Sequence, residues 1–93
     1  MAESYVYILR CADGTLYTGW TTDPAARLAV HNGKGKGGAK YTRARRPCAL
    51  VYTERLPDKQ AAMRRECEIK SFTRAEKEAL CAGFLAAGGE GKK

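Results

Sequence analysis

Four polar side chains in this sequence form two pairs with the same spacing. Arg27 is followed four residues later by His31, and Glu66 is followed four residues later by Lys70, so on a helix the members of each pair share a face. A planar guanidinium suits a phosphoryl group, and a single carboxylate can hold a Mg²⁺ ion whose other ligands are waters and substrate oxygens. The plainer alternatives are a solvated helix face for the first pair and an ordinary ion pair for the second.

Two tyrosines belong to the segments that are most typical of strands. Residues 4–11 read SYVYILRC and residues 15–20 read TLYTGW, and an Asp13-Gly14 turn separates them. This pattern predicts a β-hairpin that carries Tyr7 on its first strand and Tyr17 on its second. Taken alone, both tyrosines are most simply explained as half-buried strand residues.

The remaining elements are indicated by capping residues, proline and glycine. Strands and helices follow the order ββαβαα, which favours the α+β class: a small three-stranded antiparallel sheet flanked by helices. The 93-residue length suits a single domain, which we place at residues 1–87, with a disordered tail at residues 88–93. The other predicted elements are a helix from Pro24 to about Asn32, a strand over residues 49–55, a helix capped by Asp58 that ends near Ser71, and a helix opened by Thr73 and Glu76 that ends near Ala87.

The whole net positive charge of the chain, +7, lies in one third of its length. No acidic residue stands between Asp23 and Glu54, whereas seven Lys and Arg residues do, and six of these fall in residues 34–46, which we call the basic block. Such a patch binds phosphate backbones through counterion release, although a basic surface that only aids solubility is the common alternative. We therefore expect a nucleic acid as the partner. The residues expected to contact it are Lys34, Lys36, Lys40, Tyr41, Arg43, Arg45, Arg46 and Lys70.

The cysteines and the apolar runs of the sequence indicate the cellular compartment. Cys11, Cys48, Cys67 and Cys81 form no C-x-x-C pair, and the chain has one histidine, so we expect reduced, buried thiols and no zinc site. The longest apolar runs are four or five residues, and the N-terminus lacks the order of a secretory signal. We therefore expect a cytoplasmic protein with no membrane contact.

Five pieces of the sequence stand in an informative order and spacing. They are Tyr5-Val6-Tyr7, Tyr17-Thr18-Gly19, Arg27 eight residues after that glycine, His31 one turn later, and Glu66 on the next long helix. Together they resemble the GIY-YIG nuclease family from about residue 4 to about residue 80. The segment GAKYTRARRP at residues 38–47 resembles the small stand-alone bacterial, UPF0213-like members in particular. The sequence departs from the family pattern in two places: Tyr5 replaces the opening glycine, and Thr18 replaces a branched aliphatic residue.

The resemblance implies an endonuclease that depends on Mg²⁺, with Mn²⁺ as a substitute, and that cleaves DNA. It implies Tyr7 as the general base, Tyr17 beside it to position water or phosphate, and Arg27 as the cation for the developing charge. Glu66 is then the metal-binding carboxylate, and His31 orients a tyrosine or the phosphate. An unperturbed tyrosine is ionised to about one part in a thousand at neutral pH, so we expect Arg27 and a network of metal-bound water to favour the phenolate.

Substrate and function class are left open at several points. We expect recognition of DNA backbone and shape, in DNA repair or recombination, either by the basic block or with a partner protein, because the chain has no room for a separate specificity domain. RNA is an open alternative, since nothing recognisable reads a 2′-hydroxyl. The rival classes are a non-catalytic nucleic-acid-binding module and a protein-interaction domain. No obvious dimer helix is present, so we expect a monomer.

Overall fold

The computed structural model describes residues 3–32 and 45–86 of the chain. It confirms the α+β class, the antiparallel sheet and the order ββαβαα. The tail predicted at residues 88–93 lies outside the described residues, so the domain bounds stay a prediction. The elements are β1 (Ser4–Cys11), β2 (Leu16–Thr21), α1 (Pro24–His31), β3 (Cys48–Leu56), α2 (Lys59–Lys70) and α3 (Arg74–Ala86).

The turn between β1 and β2 sets the register of the hairpin. Gly14 has φ +87°, a left-handed conformation in which a Cβ atom is disfavoured. The Asp13 carboxylate accepts hydrogen bonds from the Thr15 amide at 3.1 Å and from the Thr15 hydroxyl at 2.7 Å, as turn-forming aspartates commonly do. In the resulting register Tyr7 lies opposite Gly19.

The sheet has β1 at its centre, in the order β2-β1-β3, and both of its faces are covered. On one side, the α2–α3 face, Val6 and Ile8 pack against Ala62 and Ile69 of α2 and against Cys81 of α3. The other side, the α1 face, carries Tyr7, Leu9, Cys11 and Cys48, with Tyr17, Leu28 and Leu50 packed against them. Alternate residues of β1 therefore belong to two different clusters, as the period of a strand requires.

A β-bulge interrupts the alternation of side chains along β3. Leu9 lies opposite Leu50, but Ile8 lies opposite Tyr52, so Val51 is an extra residue in β3. The extra residue shifts the alternation by one. Leu50 therefore packs on the α1 face, and Val51 and Tyr52 both pack on the α2–α3 face.

The predicted capping residues begin the helices. The Asp23 side chain accepts a hydrogen bond from the Ala26 amide at 3.1 Å, and the Asp58 side chain accepts one from the Ala61 amide at 2.8 Å. At the start of α3 the capping box is complete: the Thr73 amide donates to Glu76, and the Glu76 amide donates to the Thr73 hydroxyl.

One prediction about the cysteines is wrong. Cys11, Cys48 and Cys81 are buried free thiols, as expected, but Cys67 is exposed. It lies on α2 away from Ala62 and Ile69, the buried positions of that helix. None of the helices in the described ranges is long and apolar enough to cross a membrane.

Candidate active site

The ring of Tyr7 lies over a strand position that has no side chain. A Cβ atom on Gly19 would lie 2.6 Å from the Tyr7 hydroxyl oxygen and 2.8 Å from its Cζ atom, closer than nonbonded carbon atoms approach. Tyr7 can therefore cross the edge strand β2 only because residue 19 is glycine. The residue is almost completely buried, at 2% exposure, with its hydroxyl over Gly19 of the edge strand β2.

Helix α1 brings two further predicted site residues to this hydroxyl. The Tyr7 hydroxyl and His31 Nε2 are 3.0 Å apart, and the His31 side chain is fully buried. Arg27, one turn earlier on the same face of α1, hydrogen-bonds to Tyr7. Tyr17 completes the group, since its ring centroid lies 5.0 Å from that of His31 and 6.3 Å from that of Tyr7.

Burial controls the protonation of the central pair. It raises the pKa of Tyr7 to about 12; the hydrogen bond from Arg27 opposes this rise, and the charge of Tyr17 adds to it. Burial also lowers the pKa of His31, and the positive charges of Arg27 and Arg46 lower it further. At neutral pH Tyr7 therefore keeps its proton and His31 is neutral. Desolvation thus outweighs Arg27, and without a metal ion the phenol is the resting form; the effect expected from metal-bound water stays a prediction.

The fifth predicted site residue lies in the opposite helix layer and acts on Tyr7 through its charge. Helix α2 contacts both β1 and β2, and the charge of its Glu66 acts on Tyr7 in the direction that raises the pKa of the phenol. The Glu66 side chain is 20% exposed, and its Oε2 atom is 3.0 Å from Lys70 Nζ. The predicted pairing of these two residues is present, with the carboxylate at a partly buried position on α2.

The donor set at this site fits a hard divalent cation. Within residues 3–32 and 45–86 no three His, Cys, Asp or Glu side chains cluster to form a protein cage for a metal. One partly exposed carboxylate, that of Glu66, is the arrangement that Mg²⁺ accepts, because Mg²⁺ keeps several waters and takes substrate oxygens as ligands. Mn²⁺ also prefers oxygen ligands.

Two arginines of the basic block are held by the protein itself. Arg45 Nε lies 3.1 Å from Asp13 Oδ2, and Arg46 Nε donates to the backbone carbonyl of His31 at 2.7 Å. Arg46 therefore stabilises the end of α1 as well as adding positive charge beside His31. Their predicted contacts with nucleic acid stay predictions. The other predicted contacts in the block, Lys34, Lys36, Lys40, Tyr41 and Arg43, lie outside the described residues.

One positioning residue was missed in the sequence. The Asn32 side chain donates to the Cys48 carbonyl at 2.9 Å and accepts from the Cys48 amide at 2.6 Å. These two bonds fasten the end of α1, next to His31, to the start of β3. An asparagine at the end of a helix is typical of a cap, so its type was informative, but nothing in the sequence indicates a partner sixteen residues away.

The fold and the grouping of these side chains define a known class of catalytic domain. The profile of the GIY-YIG catalytic domain matches residues 3–79 of the chain. The chain belongs to the GIY-YIG family, which is a family of nucleases.

Its relatives include small chains that carry the name UPF0213. A UPF0213 protein of Staphylococcus haemolyticus is 58% identical over 77 residues, which are 83% of this chain and 92% of that protein. One from Natronomonas pharaonis is 59% identical over 81 residues, or 87% of this chain and 93% of that protein. These relatives confirm the predicted resemblance to UPF0213-like proteins, a name that states no activity.

Solved structures share the fold. The solution NMR structure of a UPF0213 protein from Bacillus halodurans is 47% identical, covers 96% of this chain and 88% of its own, and has a TM-score of 0.54. A solution NMR structure of a protein from E. faecalis is 34% identical, covers 92% of this chain and 90% of its own, and has a TM-score of 0.59.

Proposed function

We propose that this protein is a divalent-metal-dependent endonuclease that hydrolyses phosphodiester bonds of DNA, using Mg²⁺ or Mn²⁺. The observation that carries the proposal is the surroundings of one hydroxyl: Tyr7 is held between Arg27 and His31 and lies within the influence of Glu66. In-line hydrolysis needs a proton acceptor for the attacking water, a cation for the developing charge and a carboxylate for the metal. These residues supply each of those groups.

The proton of the attacking water passes through Tyr7 to His31. With a pKa of about 12, Tyr7 is ionised at pH 7 to only about one part in 10⁵, too little for a waiting phenolate. Neutral His31, protonated on Nδ1, accepts the Tyr7 proton on Nε2 at 3.0 Å while the phenol oxygen takes the proton of the water. Tyr7 thus serves as the general base, and His31 both orients it and receives its proton.

The remaining residues handle charge and position. Arg27 donates to the Tyr7 oxygen and presents a permanent cation to the phosphoryl group. Glu66 would hold the metal, which would supply Lewis-acid polarisation of the scissile phosphate. Lys70 fixes the rotamer of Glu66 through its 3.0 Å ion pair. Tyr17, against the His31 ring, positions the water or the phosphate.

Cleavage of plasmid and branched DNA, with Mg²⁺ and with chelator, tests this function. We expect Glu66→Ala and Arg27→Ala each to lower the rate roughly 10²- to 10³-fold, and chelation to remove activity in the wild type. The matched control is Glu68→Ala on the same helix, whose exposed carboxylate pairs with Arg65 and should leave the rate unchanged. Equal cleavage in all preparations rejects the proposal.

The same preparations distinguish the rival classes of function and narrow the choice of substrate. Faster cleavage of branched than of linear DNA supports a structure-selective enzyme of repair or recombination, and a parallel RNA arm tests the other nucleic acid. DNA binding that survives chelation without any product assigns a non-catalytic binding module. Nucleic acid binding that does not weaken steeply between low and moderate salt favours a protein-interaction domain instead, because phosphate contacts are strongly salt-dependent.

A further inference from the structure

Two buried sulfur atoms lie next to each other where β1 ends and β3 begins. Cys11 and Cys48 are directly opposite in the strand register. Their Sγ atoms are 3.4 Å apart, and the two residues are 4% and 6% exposed. Opposed residues of antiparallel strands have Cα atoms roughly 4.5–5.5 Å apart, inside the range of about 4.4–6.8 Å that disulfides span. The backbone therefore already has the separation that a disulfide needs.

We propose that Cys11 and Cys48 are a redox-active dithiol that a peroxide oxidises to an intramolecular disulfide, a reversible modification site at the end of the sheet. Closing the bond requires the sulfurs to approach by about 1.4 Å, a movement that rotation of the two short side chains can supply. The pair is distinct from Cys81, which is buried among apolar residues on the α2–α3 face, and from the exposed Cys67.

The hydrogen bond between the thiols assigns their order of reaction. Cys48 donates its S–H to the Cys11 sulfur, which is therefore the nucleophile. The Cys11 thiolate attacks one oxygen of hydrogen peroxide, the O–O bond breaks, and a sulfenic acid and hydroxide form. That hydroxide removes the Cys48 proton as water. The Cys48 thiolate then attacks the sulfenic sulfur and expels a second hydroxide, which takes up the proton that Cys11 had lost. Two thiols and one peroxide thus give one disulfide and two waters.

The surroundings make this oxidation slow but consequential. Burial raises the pKa of Cys48 to about 11, so its thiol keeps its proton until a base forms beside it. The backbone of Cys48 is fastened to Asn32 by two hydrogen bonds. A disulfide therefore joins the end of β1 covalently to the point where α1 and β3 are already held together, and it encloses α1 in a covalent loop.

Mass spectrometry of the full chain tests the proposal without reference to nuclease activity. We use a Cys67→Ser background, so that the exposed thiol neither oxidises nor links chains, and treat the folded protein with hydrogen peroxide. We expect a mass loss of about 2 Da, two fewer alkylated thiols after unfolding, and a cross-linked tryptic pair that contains Cys11 and Cys48. The Tm should rise on the order of 10 °C, and dithiothreitol should reverse all of these changes.

Three further variants in the same background identify the partners. Cys11→Ala and Cys48→Ala should each abolish the mass loss, whereas Cys81→Ala should keep it. If one of the first two variants does not fold, the cross-linked peptide of the unsubstituted pair decides. The proposal is overturned if peroxide leaves the three remaining thiols open to alkylation, adds oxygen to them without a link, or links Cys81 to either of the others.

Discussion

The two faces of the sheet use polar side chains in opposite ways. On the α2–α3 face the centre is apolar, with Val6 and Ile8, and charged groups stand at its rim in ion pairs such as Arg65–Glu54 at 2.9 Å. On the α1 face a histidine with no exposed surface lies against a buried phenol. On the α2–α3 face the charged groups pair with each other. On the α1 face Arg27 and neutral His31 both lie at the hydroxyl of Tyr7.

Each face contains a tyrosine whose pKa is raised to about 12, and their neighbours differ. Burial is the largest cause for both Tyr7 and Tyr52. The Tyr52 hydroxyl donates a 2.8 Å hydrogen bond to Glu54, an anion that raises the pKa of Tyr52 further. Tyr7 instead receives a hydrogen bond from Arg27 and contacts neutral His31. A perturbed pKa alone therefore does not mark a catalytic group; of the two tyrosines, only Tyr7 has the cation and the histidine that the proposed mechanism uses.

Removing each phenolic oxygen in turn is the strongest test of this comparison. We expect Tyr7→Phe to lower DNA cleavage roughly 10²- to 10⁴-fold, because the route from water to His31 is lost. Tyr52→Phe should leave cleavage unchanged. Tyr52→Phe should lose about 1 kcal/mol of unfolding free energy, since it removes one partly buried hydrogen bond, and Tyr7→Phe should lose at least as much, since its hydroxyl contacts both His31 and Arg27. Cleavage rates and urea denaturation of the two proteins supply the measurements.

Two outcomes would break the comparison. If Tyr52→Phe slows cleavage as much as Tyr7→Phe does, the chemistry is not confined to the α1 face. If Tyr7→Phe costs stability but no activity, Tyr7 is a core residue and the proposed proton path is wrong.

Glycine at residue 19 should matter for the site more than for the fold. In Gly19→Ala the new Cβ would meet the Tyr7 oxygen at 2.6 Å, so the ring must move. We expect cleavage to fall about 10²-fold and unfolding free energy to fall by about 1–3 kcal/mol. The matched control is Gly83→Ala on α3, where nothing lies within 4 Å of the added atom. It should gain up to about 1 kcal/mol of stability through helix propensity and keep full activity.

Most of the fold was predictable because its signals are local. Period-two alternation, the Asp13-Gly14 turn and the capping residues Asp23, Asp58 and Thr73 each act within a few positions of the chain. The bulge at Val51 was not predictable in this way, because the register shift arises where β3 pairs with β1, a strand distant in the sequence. Exposure of Cys67 likewise depends on which side of α2 meets the sheet.

The resemblance to the GIY-YIG family indicated which side chains to look for around Tyr7, but their electrostatics could not be predicted from it. The sequence shows that Arg27 and His31 share a helix face. It does not show that the strand and helix around Tyr7 desolvate its phenol, and this burial raises the pKa of Tyr7 more than the nearby cation lowers it. Pairing of Asn32 with Cys48 is also a long-range contact. The sequence therefore predicts that Arg27 lowers the pKa of Tyr7. Only the folded structure shows that burial raises this pKa by more.

Protonation of His31 links the α1 face to the pH dependence of stability. Its folded pKa lies below the usual value, about 6.5, so the unfolded chain binds the proton more tightly. The contribution of His31 to stability is fully present above pH 6.5 and is lost as the pH falls through its folded pKa. We expect the unfolding free energy of the wild type to fall more steeply from pH 7 to pH 5 than that of His31→Gln, in parallel urea titrations. Identical slopes would contradict a buried, neutral imidazole.

The smallest effect belongs to a hydroxyl on the α2–α3 face. Thr18 is buried opposite Ile8, and its Oγ1 atom has no hydrogen-bond partner among the residues that the structure describes. Replacing it by valine exchanges an unpaired polar atom for a methyl group of similar size. We expect Thr18→Val to gain about 1 kcal/mol of unfolding free energy without a change in cleavage.

Replacing Thr21, three residues later, by valine should lower the free energy of unfolding instead of raising it. The Thr21 hydroxyl accepts the Asp23 amide at 3.1 Å just before α1 begins, so Thr21→Val should lose roughly 0.5–1 kcal/mol. Thermal or urea unfolding of both variants measures the pair. If Thr18→Val is destabilising while Thr21→Val is neutral, the prediction is wrong. The Thr18 hydroxyl then has a hydrogen-bond partner in the folded protein, and the apolar α2–α3 face contains a polar contact.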